Sequence, residues 1–169
     1  MTEPGSADLP SSFAPSALST EDAARTLRAA EWGRALGEVQ LLGLARHFRA
    51  FHVARGVDLC AEGDPGLYMG VLVGGLLKVG KRDYYGNDRN FGVVEPGDTF
   101  GEMSFLDGHP RSASLRCAED AELLVLTQQG YLSLVRDDPS LAVALLEQLC
   151  RALSARVRRL TDRAVQQLL

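Results

Sequence analysis

FGEMSFLDGHPRSAS, Phe100 to Ser114, sets one carboxylate and one guanidinium among small residues. Gly101 and Glu102 open the stretch, Pro110 and Arg111 follow near its far end, and Ser112, Ala113 and Ser114 close it. A short helical turn starting near Gly101 would point free backbone N–H groups outward, toward an anion. Glycine there lets a ligand approach the backbone with no Cβ in the way. The carboxylate of Glu102 accepts hydrogen bonds well, and a sugar hydroxyl is a suitable donor. Arg111 presents five donors in a planar fork that matches phosphate oxygens, with the N–H and hydroxyl of Ser112 beside it. Pro110 fixes one backbone angle ahead of the arginine. The plainer reading stays open on residue types alone: Arg111 paired at the surface with Asp107 or Glu119, worth little, and Glu102 capping a helix.

Outward from this loop the hydrophobic pattern has a period near two. FHVARG, VDLCAEG, LYMGVLVGG, LLKVGKRD and RNFGVVEPG precede it, and SASLRCAED and AELLVLTQQ follow. Turn signals divide them at 62–66, 74–75, 85–88 and 95–98. Many short antiparallel strands at this spacing predict a mainly β fold with flanking helices, a jelly-roll barrel (double-stranded β-helix). No βαβ alternation argues for a doubly wound sheet.

Helices are expected on both sides. One starts at Ser19 or Thr20, where Glu21 and Asp22 suit the positive end of the helix dipole, and a second covers about Glu38 to Phe48. After the strands, Gln128 to Arg136 forms a short helix stopped before Pro139. A long one then carries the stripe Leu145, Leu149, Leu153, Val157, Leu160, Ala164 and Leu168. About 30 helical residues reach roughly 45 Å, more than a small barrel needs on one flank, so the surplus predicts a dimer seam or a partner. The resulting division is a flexible tail at 1–18, N-terminal helices at 19–48, a β-roll at 49–138 with its ligand loop at 98–115, and a C-terminal lid and dimerisation helix at 139–169. Pro4, Gly5, Ser6, Pro10, Ser11, Ser12 and Pro15 mark the tail.

Composition narrows the function. Apolar residues make up 46% of the chain, enough for a core. There is no secretory leader pattern and no run of about 18 apolar residues, so a soluble, cytoplasmic protein is expected. The three cysteines, Cys60, Cys117 and Cys150, sit far apart inside apolar segments, as small buried hydrophobes in a reducing compartment do. Net charge is zero over residues 1–55, −7 over 56–138 and +3 over 139–169. An acidic middle argues against direct DNA binding. Scattered His47, His52 and His109 give no metal cluster, and no P-loop, nucleophile elbow or activated cysteine appears. The expectation is a non-enzyme with no metal and no cofactor.

GEMSFLDGHPRSAS resembles the phosphate-binding cassette of cyclic nucleotide-binding domains, as in catabolite activator protein and protein kinase A regulatory subunits. GVDLCAEGDPGLYMGVLVGGLLKV is similar to that family's first strands and EPGDTFGE to its approach to the cassette, so the resemblance covers about Leu36 to Leu168. It implies a ligand, cAMP or cGMP, held by Gly101, Glu102, Met103, Ser104, Arg111, Ser112 and Ala113. Glu102 would hold the ribose 2′-OH, Arg111 the cyclic phosphate, and backbone donors of Gly101, Glu102 and Ser112 the rest of the phosphate. Leu72, Val73, Phe91, Val93 and Leu115 would wall the pocket. The family's consecutive Thr-Ser pair on the last helix falls at Leu160 and Thr161, leaving Thr161 to meet the base, with Arg158 or Asp162 as alternatives. The base stays open. The resemblance implies a sensor that signals through its C-terminal helix to a homodimer or an effector protein, with no helix-turn-helix domain before Leu169. Two alternatives stand beside it: an interaction module of the same fold that binds no nucleotide, and the ligand-binding part of a transcription regulator.

Overall fold

The computed structural model describes residues 9–166. Two antiparallel sheets form a roll flanked by helices. In chain order the elements are β1 (Ala14–Pro15), α1 (Thr20–Ala29), a 3-10 turn (Gly33–Ala35), α2 (Glu38–Ala45), β2 (Arg49–Val53) and β3 (Asp58–Cys60). Then come β4 (Tyr68–Gly74), β5 (Leu77–Arg82), β6 (Asp88–Val94), β7 (Thr99–Phe100) and α3 (Glu102–Asp107). β8 (Ser114–Cys117), β9 (Ala121–Thr127), α4 (Gln128–Asp137) and α5 (Pro139–Gln166) complete the described residues. One sheet runs β1-β2-β9-β4-β7 and the other β3-β8-β5-β6. The predicted β-roll with flanking helices is the observed architecture.

The helix ends follow from local chemistry. Ser19 accepts the backbone N–H of Asp22 at 3.0 Å and starts α1. Thr127 caps α4 through the N–H of Gly130, also at 3.0 Å. Asp138 accepts the N–H of Leu141 at 2.9 Å, and Pro139 opens α5, where its missing N–H costs nothing. The second helix ends at Ala45 rather than Phe48, because β2 begins at Arg49 and pairs with β9.

Strand β9 shows where the core sits. Leu123 and Val125 face the interior of the roll with Phe51, Leu59, Leu72 and Leu77. Leu124 and Leu126 face the helices, against Leu27, Leu41, Leu44, Leu134, Leu145 and Leu149. Burial on both faces explains the unbroken apolar run LLVL, which alternation alone does not.

Two expectations are corrected or limited. The flexible tail assigned to 1–18 is contradicted at Phe13 to Ser16, which are docked on the roll, and residues 1–8 lie outside the described part. Phe13 is 6% exposed, packed edge-on to Tyr68 at 5.7 Å, while Ala14 and Pro15 pair with His52 and Phe51. The Ser16 hydroxyl donates to Glu122 at 3.0 Å. The apolar stripe of α5 divides: Leu145 and Leu149 are buried, Leu153 is half-buried, and Val157 and Leu160 are 62% and 56% exposed. Leu168 lies outside the described residues.

Candidate functional site

Short β7 delivers the chain into α3 through Gly101, whose φ is +73°. That conformation favours glycine, and space demands it too: a Cβ there would press into the Arg111 guanidinium and lie 3.0 Å from the Tyr68 carbonyl. Ser104, on α3, donates to the Pro110 carbonyl at 3.2 Å and so ties the two ends of the loop together. Gly66 leaves room for Ser104, since a Cβ at Gly66 would collide with it.

Arg111 is 4% exposed. Its backbone is fixed on both sides, N–H to the Asp64 carbonyl at 2.8 Å and carbonyl from the Gly63 N–H at 2.9 Å. Nη1 donates to the Gly101 carbonyl at 2.9 Å and Nη2 to the Tyr68 carbonyl at 2.6 Å, while the guanidinium lies 4.6 Å from the Tyr68 ring centroid. Nε is buried with no hydrogen-bond partner among the described residues. Asp107 pairs with His109 instead of Arg111, at 3.5 Å, so the surface ion-pair reading of Arg111 fails. A buried cation with two carbonyls and no carboxylate is incompletely compensated.

Glu102 is 5% exposed. Its Oε1 accepts Nη1 of Arg156 from α5 at 2.5 Å. Together Glu102, Arg111 and Arg156 border a cavity of about 140 Å³ that all seven predicted loop residues line: Gly101, Glu102, Met103, Ser104, Arg111, Ser112 and Ala113. Its apolar wall is Val79, Val94, Phe100 and Leu115, with Cys60 beside them. Burial pushes the Cys60 thiol up, against the opposing pull of the Arg111 charge. Burial likewise raises the Tyr68 phenol far above its ordinary range, and its hydroxyl donates to the Leu59 carbonyl at 2.6 Å.

Other expectations part from this geometry. Thr161 is exposed, does not line the cavity, and donates its hydroxyl to the Val157 carbonyl of its own helix at 3.0 Å. Of the expected walls only Leu115 lines the cavity. Leu72 packs inside the roll and Val73 lies against the helices. Phe91 and Val93 are 75% and 49% exposed. Their strand is an edge, and Phe91 falls in a bulge, between Gly92 opposite Val79 and Asn90 opposite Gly80. Arg156 was not anticipated. It had a legible signal: Leu149, Leu153 and Arg156 recur at steps of four and three, so an arginine occupies the inward stripe where Val157 was assumed.

Among the described residues no group of three or more His, Cys, Asp or Glu gathers to hold a metal ion, and no helix is long and apolar enough to cross a membrane.

The family model of the cyclic nucleotide-binding domain matches residues 50–138. The chain is 29% identical over 119 residues to a CRP-like cAMP-activated global transcriptional regulator of Mycobacterium tuberculosis, covering 70% of this chain and 51% of that protein. It is 36% identical over 99 residues to the cyclic AMP receptor protein of Thermus thermophilus, covering 59% and 46% respectively. The chain thus spans about half the length of these curated relatives. A cyclic nucleotide-binding domain from Methylobacillus flagellatus superposes with a TM-score of 0.76 at 27% identity, over 89% of this chain and 84% of that one.

Proposed function

The chain belongs to the cyclic nucleotide-binding domain family, and from that premise we propose that it is a non-enzymatic sensor of cAMP or cGMP. The observation that carries this is Arg111. It is buried, has no carboxylate partner, and leaves Nε unpaired beside a cavity whose other charged groups are Glu102 and Arg156. A cyclic phosphate would give Arg111 a charged partner, with N–H groups of Gly101, Glu102 and Ser112 as further donors. The second oxygen of Glu102 would accept the ribose 2′-OH while Arg156 keeps the first. Met103, Ser104 and Ala113 would shape the surface around them.

Signalling would follow from Arg156, because it ties the ligand cavity to α5. Ligand that prefers one position of α5 shifts the population toward it, by no more than the difference in its affinity for the two states. Exposed Val157 and Leu160 on that helix suit a second copy or an effector protein as receiver. The free Cys60, Cys117 and Cys150 fit a reducing compartment, the cytoplasm.

The test is calorimetric titration of ligand-stripped protein with cAMP and, separately, cGMP. Micromolar binding, about −8 kcal/mol, that disappears in Arg111→Ala is the expected result and names the base. No heat with either nucleotide, from protein shown to be folded, would leave an interaction module with an inherited cassette.

A further inference from the structure

Between Leu9 and Leu18 one side chain is buried, that of Phe13. The rest of this N-terminal arm is held lightly. β1 pairs with β2 over two residues, the Ser16 N–H donates to the Ala50 carbonyl at 2.9 Å, and the Ser16 hydroxyl reaches Glu122 at 3.0 Å. The Phe13 N–H turns back on the Pro10 carbonyl at 3.0 Å, which bends the arm where its ring enters the roll. Burial of that ring is the arm's main apolar gain. The anchor lands on Tyr68.

Phe13 meets Phe51 and Tyr68 at 5.7 Å between ring centroids, the Tyr68 contact edge-on at 73°. Tyr68 is 4% exposed, and its hydroxyl is tied to the Leu59 carbonyl at 2.6 Å. The ring is thus held at its tip by Leu59 and along its body by Phe13. Residue 68 in turn touches the Arg111 guanidinium twice. Its carbonyl accepts Nη2 at 2.6 Å, and its ring centroid lies 4.6 Å from the guanidinium carbon. Little else restrains that group: Nη1 has the Gly101 carbonyl at 2.9 Å, and Nε has no partner among the described residues. A cation so sparsely satisfied gains from a desolvated aromatic face, and the gain lasts only while the ring keeps its place.

We propose that Phe13 is a positioning residue for Arg111: the N-terminal arm, docked through this ring, sets the Tyr68 ring and through it the guanidinium, so undocking the arm lowers nucleotide affinity. The effect on affinity rests on Arg111 being the phosphate contact; the effect on the guanidinium itself does not.

The experiment compares the full chain with Phe13→Ala and Phe13→Leu by two readouts. One needs no nucleotide: the Arg111 Nε–Hε NMR signal, assigned by its loss in Arg111→Gln. The other is calorimetric affinity for cAMP and for cGMP. Phe13→Ala should move the Arg111 signal and weaken nucleotide binding about fivefold. Phe13→Leu keeps the apolar volume and removes the ring, so it should do the same in smaller measure even if the alanine variant folds poorly. Leu134→Ala opens a cavity in the helix-facing core, which does not include Tyr68, and should leave both readouts in place while lowering stability. In a Tyr68→Leu background, Phe13→Leu should weaken binding no further. An Arg111 signal that stays put in both Phe13 variants, an affinity loss matched by Leu134→Ala, or an undiminished loss without the Tyr68 ring would overturn the proposal. A wild type that binds neither nucleotide would sink the sensor reading instead, and the Arg111 signal alone would then decide whether Phe13 positions the guanidinium.

Discussion

Arg156 on α5 holds Glu102, its Nη1 2.5 Å from Oε1, with the arginine side chain 45% exposed and the carboxylate side chain 6% exposed. The pair joins the most enclosed carboxylate of the cassette to the helix proposed to carry the signal. Removing either partner has a predictable asymmetry. Arg156→Gln leaves a buried carboxylate short of its charged donor, whereas Glu102→Gln leaves an arginine that water already reaches.

Arg156→Gln should therefore cost about 1–3 kcal/mol of folding stability, below the range for fully buried pairs because one partner is half in solvent. The double variant with Glu102→Gln should cost less than the two single changes added together. Urea unfolding of the four proteins measures this. Strict additivity would mean that the contact does not couple α5 to the cassette.

Gly101→Ala should be the most damaging small change in the cassette. A left-handed residue with a Cβ costs about 1–2 kcal/mol, and this Cβ also presses on the Arg111 guanidinium. Nucleotide binding should fall by more than stability does, since the displaced arginine is the proposed phosphate contact. Calorimetry beside a thermal melt separates the two losses, and unchanged affinity would show that Arg111 need not stand where it does.

The roll and the loop were legible for different reasons. Alternating strands, glycine turns and capped helices are local features, and β9, α1 and α4 follow them closely. The loop residues converge because Gly101 and Pro110–Arg111 fix their own backbone. Phe91 and Val93 were misplaced because in this edge strand Val94, opposite Leu77, is the buried residue, while Val93 lies opposite exposed Lys78 and Phe91 falls in the bulge. Tail residues Phe13 to Ser16 read as flexible from composition, yet one aromatic and one strand edge suffice to dock them. Arg156 was overlooked although its spacing was legible, because a stripe is recognised by apolar residues and here a charged one continues it.

The thiols offer an independent check on the cavity. Burial pushes Cys117 up to about 11 and raises Cys60, while Cys150 is exposed on α5. The thiolate is the reactive species, so a maleimide at neutral pH should label Cys150 first, by mass spectrometry, with Cys60 and Cys117 following only on unfolding. Early native labelling of Cys60 would mean that the cavity opens far more readily than its packing implies.

The last contact to test is the clamp further along α5. Arg159 donates to both carboxylate oxygens of Glu31 at 3.0 and 3.2 Å, and this hydrogen bonding, above all, holds the Glu31 carboxyl below its ordinary value. Because the folded-state pKa is the lower one, the clamp contributes fully above the unfolded value, about 4.3, and is lost as pH falls through the folded value. Both side chains are about half exposed, 51% and 49%, so the effect on global stability is small. The Glu31 carboxyl carbon shift is the better probe: its titration midpoint should rise in Arg159→Gln. The neighbouring residue, Trp32, is the protein's only tryptophan. It is 2% exposed and donates Nε1–H to the Thr99 hydroxyl at 2.8 Å, two residues before Gly101. If α5 acts on the cassette through this turn, acidification through the Glu31 midpoint should change Trp32 fluorescence in the wild type and leave Arg159→Gln flat over the same range. A Glu31 midpoint indifferent to Arg159 would reduce the clamp to a chance surface pair.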